Sequence, residues 1–167
     1  MSETANTPNS SEQIPQPEEF DAIGKTWKIG PPNYNSRTFI EVQFAAHARR
    51  NMDALFKASP QEFATEKAAL SRAIARGDYK TLNPGWLEML PTKEGADIVI
   101  WSWLRVNHPD VTIADVVRIQ EEAQEPLRQA IEGIQDRFFW DVVQILPKTK
   151  QKMAYEAILK AWKESKG

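Results

Sequence analysis

Cysteine is absent from this chain, which excludes disulfides and thiolate metal sites outright. Histidine is nearly absent. His47 and His108 are the only two, too few for a multi-histidine metal site and too far apart for a local Ser-His-Asp signature. No apolar run reaches the length that crosses a bilayer, so no membrane partner is expected. Positive charge is not in excess, at a net −2, which argues against a general nucleic-acid binder. The N-terminus lacks a basic-then-apolar leader, so the protein is expected inside the cell, where the Asn9-Ser10-Ser11 sequon carries no meaning.

What is present is a large apolar and aromatic content: 41% hydrophobic residues, with six Trp and seven Phe among 167 positions. That suits one folded domain with a real core. Charge is unevenly placed. Residues 1–20 carry Glu3, Glu12, Glu18 and Glu19 and no basic residue, whereas 147–167 carry six Lys against Glu156 and Glu164. Residues 1–19 are polar and Pro-rich and cannot offset the entropy of ordering, so they are expected to form a disordered acidic arm. Residues 20–167 are expected to form the helical domain.

Phe20 to Ile29 alternates apolar and polar side chains around Trp27, which predicts a short extended segment or small hairpin. Its Gly24-Lys25-Thr26 triplet is not a phosphate-binding loop: the motif's first glycine would fall on Glu19. After Gly30-Pro31-Pro32, Ile40, Phe44, Ala48, Met52 and Phe56 recur every four residues and predict a helix from about Ser36 to Ala58. His47, Arg49 and Arg50 on its flank share the helix with Glu41 and Asp53, as on a solvated face. Ser59-Pro60-Gln61-Glu62 reads as an N-cap, a Pro at the first helical position and a capping-box Glu. That helix should turn Phe63, Leu70 and Ile74 inward and stop at Gly77. Between Asp78 and Thr92 a helical turn is expected over Pro84–Leu90, packed down through Trp86, Leu87, Met89 and Leu90.

The stretch from Ala96 to Gln120 organises the rest. Ile98, Trp101 and Leu104, with Val99, Trp103 and Val106 beside them, make a helix apolar nearly all round, as expected of one buried between others. Pro109 disfavours helical geometry at His108 and stops it. Thr112 suits an N-cap, with Asp115 at the positive end of the following helix. His108, at the corner, is read as a turn or capping residue. Pro126 predicts a kink or break. Leu127, Ile131, Ile134, Phe138, Val142 and Ile145 then form one stripe, broadened by Phe139 and Trp140, before Pro147 and a last helix from Thr149 to Trp162. The fold class is therefore all-α in the main: a compact domain of five to seven helices with a short extended segment near its start. Thr112 to Gln135 has the shape of a DNA-reading helix-turn-helix, but Glu121, Glu122 and Glu125 give it the wrong charge. Adjacent acids such as Glu121-Glu122 suit solvent better than shared-proton catalysis.

The span from Gly24 to Glu122 resembles the tail assembly chaperones of long-tailed bacteriophages. The matching segments are Gly24-Lys25-Thr26-Trp27, Phe39-Ile40-Glu41, Ile98-Val99-Ile100-Trp101 through Leu104-Arg105, and His108-Pro109-Asp110-Val111-Thr112-Ile113-Ala114-Asp115-Val116. The resemblance implies a non-enzymatic helper in the host cytoplasm, without catalytic residues, metal or cofactor. It would bind the tape-measure protein, and in some settings the tail tube protein or itself, and neither nucleic acid nor membrane. A structural tail or head-tail connector component is the alternative, and a helix-turn-helix regulator a more distant one. A chaperone for a long helical client must offer apolar surface. Trp101, Trp103, Phe138, Phe139 and Trp140 are the expected contributors, against the competing reading that all five are core.

Overall fold

This computed structural model describes residues 16–55, 60–145 and 156, with side chains over 16–54, 60–134 and 156. The protein is mainly helical, as expected, with one small sheet among the described residues. Strands β1 (Glu18–Ala22) and β2 (Lys25–Ile29) form an antiparallel hairpin that pairs Phe20 with Trp27. Among the described residues, six helices follow: α1 (Tyr34–Leu55), α2 (Pro60–Ala75), α3 (Pro84–Met89), α4 (Lys93–Arg105), α5 (Ile113–Glu122) and α6 (Gln124–Ile145). β1 starts inside the stretch expected to be a disordered arm, because Glu18 and Glu19 pair with Ile29 and Lys28. Residues 1–15 and, apart from Glu156, the predicted last helix lie outside the described residues.

The hairpin turn is Ile23-Gly24, with φ of 42° and 73°. Two successive left-handed residues match the right-handed twist of the strands they join. A β-branched residue rarely adopts this conformation. Here its backbone N–H donates to Glu122 Oε2 at 2.6 Å, tying the turn to the end of α5.

α1 starts two residues before Ser36, because Asn33 and not Ser36 caps it. Asn33 Oδ1 accepts from the Ser36 N–H at 3.0 Å, and Ser36 Oγ accepts from the Asn33 N–H at 3.2 Å. This reciprocal pair satisfies two backbone donors at the helix start. Ile40 and Phe44 are buried as the spacing predicts, and Ala48 and Met52 are half-buried. In α2, Phe63, Leu70 and Ile74 are only half-buried and no described residue is fully enclosed, since this helix packs chiefly along α1.

The break predicted at Pro126 falls at Ala123, whose φ of −136° and ψ of 45° leave the helical region. Restarting at Gln124 puts Pro126 in the first turn of α6, where no N–H is required and its ring meets no preceding turn.

Two apolar clusters share α4. The larger joins the hairpin (Phe20, Trp27, Ile29) to α4 (Ile100, Trp103, Leu104), α5 (Val116, Ile119) and α6 (Leu127, Ala130, Ile134). The smaller joins Ile40 and Phe44 of α1 to Ile98, with Trp86 and Met89 packed on it, which fulfils the expectation that the 78–92 stretch packs down. No helix of the described residues is long and apolar enough to cross a membrane.

Candidate functional site

The helix-corner-helix unit from α4 to α5 is started and capped by local chemistry. Thr92 caps α4 by accepting from the Gly95 N–H at 2.9 Å. Gly95 allows α4 to start hard against the preceding chain: a Cβ there would lie 1.9 Å from the Met89 carbonyl oxygen. At the far end α4 yields to the turn before Pro109. Thr112 then caps α5 with the full reciprocal box to Asp115. The Thr112 N–H and hydroxyl hold the Asp115 carboxyl below its ordinary value.

Trp101 and Trp103 both take part in the contacts that build this unit. Trp103 is 8% exposed and belongs to the larger cluster. Trp101 is half-buried, donates its indole N–H to the Val111 carbonyl at 2.8 Å, and meets the edge of Phe39 at 4.8 Å. Arg105 lies 4.2 Å over the Phe39 ring. The hairpin packs against Trp103, while Phe39 of α1 and the Val111 carbonyl of the corner engage Trp101, which stays half-buried. An apolar helix needs more than one neighbour to close it, and α4 has neighbours on several sides. Phe138, Phe139 and Trp140 lie on α6 beyond the described side chains. Large apolar side chains exposed elsewhere are Tyr34 and Val42 on α1, at 72% and 57%, and Ile113 at the start of α5.

Polar groups placed by contacts between distant parts of the chain complete the unit, and none was visible in the sequence pattern. His108 accepts through Nε2 from the Lys28 N–H at 2.8 Å and stands against the Trp27 ring at 4.9 Å. Burial, then the charges of Lys25 and Lys28, push its pKa below the ordinary imidazole value. Asn107 Nδ2 donates to the Gly30 carbonyl at 2.8 Å, and the Gly30 N–H donates to the Trp103 carbonyl at 3.1 Å. The corner thus grips β2, and its histidine is a brace.

Two buried carboxylates fasten the flanks. Asp97 of α4 accepts from Gln120 Nε2 of α5 at 2.6 Å and from Lys93 at 3.1 Å. Glu41 of α1, 6% exposed, accepts from the Thr81 N–H at 2.9 Å, the Thr81 hydroxyl at 2.7 Å and Lys80 at 3.2 Å. Burial raises the Glu41 pKa, but the Thr81 and Lys80 donors outweigh it and hold the carboxyl below its usual range. No group of three or more His, Asp and Glu able to hold a metal ion occurs among the described residues. Asp97, Glu41, Asp115 and His108 are each engaged in ordering backbone or holding elements together. No protein-family model, curated protein or solved structure matches this chain.

Proposed function

We propose that this chain is a non-enzymatic assembly chaperone for the tail of a long-tailed bacteriophage, binding the tape-measure protein in the host cytoplasm before the tube polymerises around it. One observation supports the reading most. The short segments that carry the resemblance are far apart in sequence yet meet in one structural unit. Trp27 of the first stands against His108 of the last, Phe39 of the second meets Trp101 of the third, and Trp101 bonds to Val111 across the corner. On this reading the segments that carry the resemblance form a scaffold, and the client contacts surfaces held by it. With Trp103 buried and Trp101 half-buried, the aromatic run Phe138, Phe139 and Trp140 on α6 is proposed as the main client surface.

The competing reading is a structural component retained in the tail or connector. Mass spectrometry of purified particles separates the two. A chaperone leaves once the tube has closed, so this chain should be missing from mature particles. Its presence there in stoichiometric amount would overturn the proposal.

A further inference from the structure

The grip of the corner on the hairpin includes one titratable group. Three hydrogen bonds cover the outer edge of β2 and the residue after it. Lys28 donates its N–H to His108, Gly30 donates its N–H to the Trp103 carbonyl, and the Gly30 carbonyl accepts from Asn107. The two bonds at Gly30 use amides alone and are indifferent to pH. The bond at Lys28 uses the lone pair of an imidazole nitrogen, so it exists only while that nitrogen carries no proton.

We propose that His108 is an acid-operated latch: a proton on Nε2 sets donor against donor at Lys28 N–H and opens the strand edge there, while the Gly30 bonds stay closed. The surroundings favour the closed form at neutral pH. From β2, Lys25 and Lys28 face the ring, and Lys25 also lies 3.8 Å over the Trp27 ring on which His108 rests. Glu19 of β1 is 3.3 Å from the Lys28 ammonium. On α5, the Asp115 carboxylate is held by Thr112 and feels Arg118 and Lys25; Asp110 is the exposed acid of the corner itself. Burial opposes a positive charge on the ring, and the charges of Lys25 and Lys28 act in the same direction. The folded chain therefore takes up this proton at lower pH than the unfolded chain, whose imidazole titrates near 6.5. Above that value the latch is closed and stability is flat. Stability falls as pH drops through the lower folded value. Opening is confined to the edge because Phe20, Trp27 and Ile29 remain anchored in the core.

The test is amide hydrogen exchange of the full chain, read by nuclear magnetic resonance between about pH 5 and 8, with the His108 ring titrated in the same samples. Protection at Lys28, corrected for intrinsic exchange, should fall by about tenfold as the ring protonates, the effect of losing one hydrogen bond. Gly30 should keep its protection. His108→Gln, which offers an acceptor that does not titrate, should make Lys28 protection independent of pH. The proposal is overturned if Lys28 protection is unchanged across the wild-type ring titration, if Gly30 opens in parallel, or if His108→Gln shows the same pH dependence. Should that variant not fold, the wild-type comparison of Lys28 with Gly30 decides alone.

Discussion

Glu41 shows how a single side chain fixes the path of a loop. Its carboxylate sits on α1 and gathers donors from Thr81 and Lys80, with Arg37 at 3.5 Å, thereby ordering the turn between α2 and α3. Its pKa lies below the ordinary carboxylate value of 4.5 because those donors outweigh the burial that opposes them. The unfolded chain therefore binds this proton first on acidification. The stabilisation from Glu41 is fully present above about pH 4.5 and is lost as pH falls through the folded value. Glu41→Gln should cost about 1.5–3 kcal/mol at neutral pH, the range for a hydrogen-bonded charged group. It should also flatten the acid limb of a stability-pH curve measured by urea denaturation. Gly95 is the second position where one atom decides. Gly95→Ala drives a Cβ into the Met89 carbonyl, at 1.9 Å from the oxygen, and backbone cannot move aside as a flexible side chain would. A loss of about 3 kcal/mol or more is expected in thermal unfolding.

At the level of elements, the caps and stops were legible because their chemistry is local. Thr112 with Asp115, Pro60 at the first position of α2, and Gly77 at φ 89° each stand where their residue types suggest, while the cap expected from Ser59 lies outside the described residues. Thr112→Ala should accordingly cost about 1 kcal/mol, as is usual for a lost N-cap, measured by the midpoint of thermal unfolding. Boundaries slipped where two residues could do one job. Asn33 outcompetes Ser36 as the cap of α1, and the chain breaks at Ala123 so that Pro126 falls in a helix's first turn. What periodicity could not supply was depth. The stripe through Phe63, Leu70 and Ile74 has the spacing of a core face, yet among the described residues α2 has chiefly α1 to bury it against. Nor could spacing place His108 on Lys28, Asn107 on Gly30, or Thr81 on Glu41, because those bonds join residues far apart along the chain.

For the molecule as a whole, α4 belongs to both apolar clusters, so damage to it should not stay local. Trp103→Ala removes a large buried ring from the larger cluster and should cost about 3–5 kcal/mol, unfolding the chain instead of merely weakening a surface. The unit with the outline of a DNA-reading motif, Thr112 to Gln135, carries Asp115, Glu121, Glu122, Glu125 and Glu132 against Arg118 and Arg128. A salt titration with duplex DNA should therefore show no binding near physiological ionic strength, since phosphate contacts need cations to release counterions. The proposed function is tested most directly by co-expressing the chain with the tape-measure protein of a long-tailed phage, the client it proposes. Wild type should keep that client soluble and co-purify with it. Phe139→Ala should retain the wild-type melting temperature while losing the client, and Trp103→Ala should lose both. A wild-type chain that folds normally yet leaves the tape-measure protein insoluble and uncaptured would contradict the chaperone reading.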